Sequence, residues 1–190
     1  MGFRRSRTAK TYDESALYEY AVGALSRRMR TVAEIKRLMR ERVRTQPNGA
    51  ELIEAVVERL KQQRYLNDTQ YATIYSQYRQ ENEKFGRMRV VQDLKIKGVH
   101  PDVIDKTVGA AYSGVSEEKL ARAFLAKKRA RKPKDQRESV RLFRMMVRAG
   151  FSSRAIFKIL KSWDVEEETL TALEQERAEA ELAAQAEREE

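Results

Sequence analysis

The residues with the clearest capacity for chemistry are lysines and arginines in the last third of the chain. Residues 122–161 contain 14 basic side chains and two acidic ones, Asp135 and Glu138. Six of the eight residues in 127–134, which we call the basic loop, are Lys or Arg. Guanidinium groups form paired hydrogen bonds with phosphates and carboxylates, so this region predicts binding to a polyanion or to an acidic protein surface.

Four arginines of this region recur at helical spacing, and we call them the arginine face: Arg137, Arg141, Arg144 and Arg148. At 100° per residue they fall within an arc of about 60°. The opposite side of the same helix is apolar and carries Leu142, Met145, Met146 and Ala149, which is typical of a side that packs on a core. A solvated helix face is the plainer alternative. The shared arc and the scarcity of acids favour a binding surface.

The predicted binding surface combines the basic loop with the arginine face. Its members are Lys127, Lys128, Arg129, Arg131, Lys132, Lys134, Arg137, Arg141, Arg144 and Arg148. Secondary basic faces are predicted from a further set: Lys36, Arg37, Arg40, Arg44, Arg87, Arg89, Lys95 and Lys97. Phosphate contacts of this kind depend on salt and do not read base sequence.

The net charge of +10 conceals a strong asymmetry along the chain. Residues 164–190 contain eleven acidic and two basic side chains, a net charge of −9, which leaves +19 for residues 1–163. A body this basic indicates a polyanionic or acidic partner. The acidic tail is either a frayed helix or disordered. We expect it to fold back on the arginine face and weaken non-specific DNA binding.

Residues for catalysis or metal binding are scarce. His100 is the only histidine and there is no cysteine, which excludes two-histidine relays, disulfides and thiolate metal sites. His100 precedes Pro101, which favours a capping or surface role. No glycine-rich phosphate loop is present. We therefore expect a protein that is not an enzyme, with no cofactor and no metal. Without an apolar run of 18 residues it has no predicted membrane span, and we expect a cytoplasmic protein.

Three segments of the chain read alike, at 31–43, 87–99 and 139–151. Leu38, Leu94 and Met146 align at spacings of 56 and 52 residues. Each segment is preceded and followed by another helical pattern, and no alternating strand pattern of useful length appears. The sequence therefore predicts an all-α, elongated array of three tandem three-helix repeats. Its predicted parts are a basic arm (1–11), three repeats (12–66, 67–114 and 115–163) and the acidic tail (164–190).

The ends of these helices carry recognisable signals. Ser116 and Ser152 can cap helix N-termini by accepting backbone N–H groups. Gly98 and Gly150 stand where helices end and can adopt the left-handed conformation of a C-terminal cap. Pro101 suits the first turn of a helix, where its missing N–H costs nothing.

The order of several short motifs resembles the RecX family. Residues 65–72 (YLNDTQYA) resemble its "YLDD…(F/Y)A" segment, with Asn67 at the place of the commoner Asp. Residues 148–152 (RAGFS) are similar to its C-terminal "RGFS" segment, and 31–38 to its first-repeat motif. Phe85-Gly86 is followed by Arg87, whereas Pro is usual in the family. The resemblance covers residues 12–163.

The resemblance implies a regulatory role. RecX-like proteins lie in the groove of the RecA–DNA filament, lower its ATPase, recombinase and co-protease activities, and temper DNA repair and the SOS response. The implied partners are a RecA recombinase filament and single- or double-stranded DNA, contacted through the phosphate backbone by a monomer. The alternative is a stand-alone, sequence-nonspecific DNA-binding protein.

Tyrosines at helical spacing leave one alternative open. Tyr71, Tyr75 and Tyr78 follow one another along a predicted helix. Packing between helices is the favoured role, and stacking on nucleic-acid bases is the alternative. Trp163, at the end of the last repeat, is expected to pack there, and an exposed contact with a partner is the alternative.

Overall fold

The structure is a computed structural model that describes residues 11–189, so most of the predicted basic arm lies outside it. Within that range the chain forms ten α-helices and no β-strand, which confirms the all-α, helical-repeat prediction. The helices are α1 (Glu14–Leu25), α2 (Val32–Val43), α3 (Gly49–Gln62), α4 (Asp68–Glu81), α5 (Arg87–Ile96), α6 (Pro101–Tyr112), α7 (Glu117–Lys127), α8 (Gln136–Arg148), α9 (Ser153–Lys161) and α10 (Glu167–Glu189).

The helices are grouped into two compact units. Among the described residues, unit 1 comprises 11–72 together with 94–104, and unit 2 comprises 73–93 together with 105–189. The predicted repeat boundaries fall between helices, but α4, α5 and α6 of the second predicted repeat each contribute residues to both units. The repeat boundaries therefore stay a prediction about helix order along the chain.

Unit 1 is built on the mutual packing of α1, α2 and α3. Each helix contributes one apolar side to a common core, which includes Leu17, Ile35, Met39, Val56 and Leu60. All five are essentially inaccessible to solvent. Burial of such side chains, each contributing about 1.5–3 kcal/mol, is what stabilises the three helices.

The start of α2 is fixed by a buried threonine. Thr31 Oγ1 accepts a hydrogen bond from the Glu34 backbone N–H (3.1 Å), and the Thr31 N–H donates to a Glu34 carboxylate oxygen (3.2 Å). The same hydroxyl donates to the carbonyl of Lys97, at 2.7 Å. One side chain thus caps α2 and also ties it to the end of α5 within unit 1.

Replacing Thr31 by Ala is expected to lower the free energy of unfolding of unit 1 by about 2 kcal/mol, because a buried cap and a second hydrogen bond are lost together. The measurement is urea unfolding followed by far-UV circular dichroism. Thr31→Ser keeps the hydroxyl and should lose less than about 1 kcal/mol. Equal losses in the two variants would mean that methyl packing, and not the hydroxyl, stabilises this junction.

Unit 2 has its own core, formed mainly by α7, α8 and α9. Aromatic rings are central to it: the ring centroids of Phe124 and Phe151 are 5.6 Å apart, and those of Phe143 and Phe157 are 5.4 Å apart. Such tilted pairs add to the stabilisation from buried area. Trp163 is half-buried and packs against this core, as predicted.

The acidic tail is helical from Glu167 to Glu189, and the first turns of this helix belong to the core of unit 2. Leu170 and Leu173 of α10 are buried with the side chains of α8 and α9. Of the two predicted alternatives, a helix is therefore the observed one. Because two leucines anchor it, the first turns of α10 stabilise unit 2.

Two glycines lock the start of α5 against the turn that follows α8. The Gly86 N–H donates to the Ala149 carbonyl (2.8 Å), and the Met88 N–H donates to the Gly150 carbonyl (3.3 Å). A Cβ on Gly150 would lie 2.2 Å from the backbone nitrogen of Arg89, and one on Gly86 would lie 2.2 Å from the Gly150 carbonyl oxygen. Only glycine allows this approach, and Gly150 also has the predicted left-handed conformation (φ +88°).

Candidate polyanion-binding surface

Helix α8 carries the arginine face, and its sequence explains how the face is held. Asp135 Oδ1 accepts the Glu138 N–H (2.8 Å), and the Glu138 carboxylate accepts the Lys134 N–H (2.8 Å). The two acids of this region therefore cap the helix and bond to its backbone. At the other end, α8 ends at Arg148, and the left-handed Gly150 follows two residues later.

The buried side of α8 orients the arginines outward. Leu142, Met146 and Ala149 are buried in the core of unit 2 and Met145 is half-buried, as the periodicity predicts. All four side chains of the arginine face are exposed. Since one side of the helix is fixed in the core, the other side presents its guanidinium groups to solvent as a set.

The charges of the arginine face are largely uncompensated. Within residues 11–189, Arg137, Arg141 and Arg148 form no ion pair with a described side chain. Unpaired guanidinium groups on one side of a helix retain their hydrogen-bonding capacity for a phosphate or carboxylate. The surface is therefore available to a partner without first breaking internal salt bridges at these three positions.

All six lysines and arginines of the basic loop are exposed, but two of the lysines have acidic neighbours. Lys127 Nζ lies 2.9 Å from a Glu83 carboxylate oxygen, and its hydrogen bond lowers the pKa of Glu83. Lys132 Nζ lies 2.8 Å from Asp164, whose pKa it lowers in the same way. Both acids lie outside residues 122–161 and reach the loop through the packing of the chain, so the local sequence does not predict these pairs. Exposed pairs of this kind are weak and can exchange partners.

Two arginines of the secondary set lie beside the arginine face. The hydrogen bond from Met88 to Gly150 holds the first turn of α5, which carries Arg87 and Arg89, against the turn that follows α8 within unit 2. Arg89 is partly compensated, since its Nε lies 3.0 Å from Asp93. The candidate surface of unit 2 therefore extends from the basic loop along α8 to the start of α5.

The remaining secondary residues belong to unit 1 and differ in their surroundings. Lys36 is half-buried and pairs with Glu54 at 2.7 Å, and Lys97 is half-buried and pairs with Glu34 at 3.2 Å. The charges of these two lysines are therefore compensated within unit 1, and neither lysine is readily available to a partner. The others are exposed: Arg37, Arg40, Arg44 and Lys95.

The tyrosines of α4 divide between the two predicted roles. Tyr71 is buried, and the half-buried Tyr75 donates its hydroxyl to Asp93 at 2.9 Å. The guanidinium group of Arg79 lies over the rings of Tyr75 and Phe85, at 4.9 and 5.5 Å from their centroids. Tyr78 is exposed and leaves the base-stacking alternative open at that position alone.

Other chemistry has little structural support in the described range. His100 is exposed, and its Nδ1 accepts the Asp102 N–H at 3.3 Å, which confirms the predicted capping role. Among residues 11–189 no group of three or more His, Cys, Asp or Glu side chains is placed to hold a metal ion. None of the helices in this range is both long enough and apolar enough to cross a membrane.

Solved structures define the class of the fold. A crystal structure of regulatory protein RecX superposes with a TM-score of 0.61 at 23% identity, covering 78% of this chain and 71% of the other. RecX from Lactobacillus salivarius superposes with a TM-score of 0.58 at 18% identity, covering 80% and 96%. The chain thus has the all-helical fold of those proteins, with a basic surface on its third predicted repeat.

Sequence comparison identifies the family. Residues 67–108 match the family model described as "RecX, second three-helix domain". Regulatory protein RecX of Myxococcus xanthus is 31% identical over 172 residues, covering 84% of this chain and 89% of the relative. The Deinococcus radiodurans protein is 31% identical over 163 residues, covering 83% and 74%. The chain belongs to the RecX family of regulatory proteins.

Lengths differ within the family. This chain spans 57% of the Bacillus pumilus relative, at 29% identity, and 51% of the Halalkalibacterium halodurans relative, at 28% identity.

Proposed function

We propose that this chain is a regulator, without catalytic activity of its own, that binds a RecA-type recombinase filament and restrains its ATPase, recombinase and co-protease activities. It would temper DNA repair and the SOS response in the cytoplasm, acting as a monomer. The observation that carries the proposal is the arginine face. It is a set of exposed guanidinium groups on a helix whose other side is fixed in the core of unit 2.

The chemistry of the arginine face suits a filament of protein and DNA. Arginine binds carboxylates and phosphates with the same paired geometry, so one surface can contact acidic protomer faces and DNA phosphates together. The basic loop and the start of α5 enlarge the same surface. Association with such a filament should be fast and strongly dependent on salt.

The alternative is a protein that binds DNA alone and affects recombinase only by covering its substrate. The exposed charge of the basic loop is compatible with it. The described surface consists mainly of Lys and Arg, which are suited to phosphate contacts.

Stoichiometry in an ATPase titration separates the two functions. Recombinase is assembled on single-stranded DNA with ATP, and the chain is added in increasing amounts while phosphate release is measured. We expect inhibition at concentrations far below those that cover the DNA. Inhibition that begins only when a parallel anisotropy titration shows the DNA to be saturated would support the DNA-binding alternative and contradict the proposal.

The acidic tail is proposed to compete with DNA for the basic surface. Asp164 already pairs with Lys132, and Glu167 lies 3.5 Å from Lys161. Deleting the whole tail would be a poor test, because Leu170 and Leu173 belong to the core. Substituting only exposed acids by glutamine preserves those leucines: Glu166, Glu167, Glu168 and Glu174.

This fourfold glutamine variant is expected to bind single-stranded DNA about fivefold more tightly at low salt. Because salt screens the charges, the gain in affinity should disappear at about 0.5 M salt. Fluorescence anisotropy with labelled oligonucleotides measures it. A variant with the same change in net charge is the control: Glu19, Glu41, Glu51 and Glu58 to Gln, all exposed in unit 1. An equal gain in the control would attribute the effect to net charge alone.

A further inference from the structure

Unit 1 contains a groove that the predicted basic surfaces do not include. It has a volume of about 330 Å³ and lies between the C-terminal part of α1 and the connection from α3 to α4. Val22 and Leu25 contribute apolar lining. Met29 and Tyr65 stand at its edge with 48% and 55% of their surface exposed. Two large apolar side chains are thus left in solvent beside an open apolar surface, which is typical of a binding site.

The backbone of the connection holds Tyr65 in this exposed position. Arg64 has a left-handed conformation (φ +61°), and the Tyr65 N–H donates to the Leu60 carbonyl at 2.9 Å. Leu66 then enters the core of unit 1, where it is almost fully buried. With its neighbour anchored inside, Tyr65 is directed outward. The left-handed position after a helix is more often occupied by glycine. An arginine there has a conformational cost, because its Cβ crowds the backbone in this conformation.

The edge of the groove is strongly basic. Arg30 and Arg64 line it, and Arg27 and Arg28 are exposed on the segment that leads to Met29. In the described part of the chain none of these four arginines forms an ion pair.

The acids nearest in sequence are already engaged. Asp68 accepts the Val32 N–H at 2.9 Å, and Glu34 takes part in the α2 cap and pairs with Lys97. The local charge is therefore positive and available to a partner.

We propose that this groove binds an acidic segment of a protein partner, which inserts one aliphatic side chain between Met29 and Tyr65. Charge complementarity with the arginine edge selects an acidic segment. The lining selects the anchor, because Val22, Leu25 and Met29 are aliphatic and Met adapts readily to an inserted side chain. Tyr, Met and Arg are also the residue types enriched in protein interfaces. A nucleobase fits less well, since Tyr65 is the only aromatic ring among the lining residues.

Methionine methyl groups give a direct test in the full-length chain. The chain has six methionines, so methyl-¹³C labelling yields a small set of signals. Met29 reports on the groove. Met88, exposed in unit 2, and the buried Met39 and Met146 serve as internal controls. The probes are two synthetic 12-residue Asp/Glu peptides that differ only in a central Leu or Ser, and a thymidine decanucleotide.

We expect the Leu peptide to shift the Met29 signal saturably and to bind about tenfold more tightly than the Ser peptide, while the signal of Met88 stays in place. Tyr65→Ser should remove the preference for Leu, and Arg64→Gln should weaken both peptides. Tyr78→Ser, which alters an exposed tyrosine of unit 2, should change neither result.

Three results would overturn the inference. The Met29 signal could stay in place with the Leu peptide, or the two peptides could bind equally. The decanucleotide could also shift Met29 where the peptides do not, which would make the groove a nucleic-acid site. Because this groove and the arginine face are altered by separate variants, failure here leaves the filament proposal to its own ATPase test.

Discussion

Alanine at all four positions of the arginine face is expected to abolish inhibition of recombinase ATP hydrolysis while leaving the chain folded. The four side chains are exposed, and the core side of α8 is untouched, so the free energy of unfolding should change by less than about 1 kcal/mol. The cause of the lost inhibition would be the removal of the guanidinium groups that contact carboxylates and phosphates. Phosphate release in the recombinase assay and urea unfolding are the two measurements.

DNA binding by the same variant provides a quantitative check. Each phosphate contact on single-stranded DNA contributes about 0.7 to the slope of log K against log salt, so losing four lowers the slope by about 3. The control is alanine at three exposed arginines, Arg37 and Arg40 of α2 and Arg44 directly after its C-terminal end. It should retain inhibition. Inhibition that survives the α8 change but is lost with the α2 change would place the functional surface in unit 1.

Replacing Gly150 by Ala is expected to lower the free energy of unfolding of unit 2 by about 3 kcal/mol or more. The left-handed backbone alone costs an alanine about 1 kcal/mol. The new Cβ would also meet the backbone nitrogen of Arg89 at 2.2 Å, so the start of α5 must move and lose its hydrogen bonds to Ala149 and Gly150.

Trp163 makes this effect measurable within unit 2. It is the only tryptophan and packs against the core of that unit, so its fluorescence follows urea unfolding there. Gly114→Ala is the matched control. Gly114 is also left-handed (φ +71°), but a Cβ there meets nothing within 4 Å, and the expected loss is about 1 kcal/mol. Similar losses in both variants would show that backbone conformation, and not the close approach of α5, determines the cost.

The repeats were predictable because apolar periodicity is a local signal. The last residues of the three similar segments, Val43, Val99 and Phe151, are all buried. In the helix that follows each segment one isoleucine is buried as well: Ile53, Ile104 and Ile156. Leu94 and Met146 are buried as well, whereas Leu38 is only half-buried. The segments that resemble the family are largely core and turn residues, so the resemblance predicts the fold better than the binding surface.

The electrostatics of the surface was less predictable, because ion pairs join residues far apart in sequence. The pairing of Lys36 with Glu54, and of Lys132 with Asp164, follows from helix packing that periodicity alone does not describe. The approach of Gly86 to Gly150 has the same origin. The sequence marks each as a helix boundary, but only the packing brings them together. The groove beside Tyr65 could not be predicted from the sequence, because no local pattern distinguishes an exposed tyrosine from a buried one.

The most direct test of the central claim is a crosslinking measurement from α8 in a working filament. The chain contains no cysteine, so Arg141→Cys creates a single attachment point for a photo-crosslinker, with Glu51→Cys on α3 as the comparison. With three arginines of the face retained, the labelled chain should still inhibit ATP hydrolysis. We expect position 141 to crosslink to a recombinase protomer or to the filament DNA. A chain that inhibits fully but forms no crosslink from position 141 would contradict the assignment of the arginine face as the filament-binding surface.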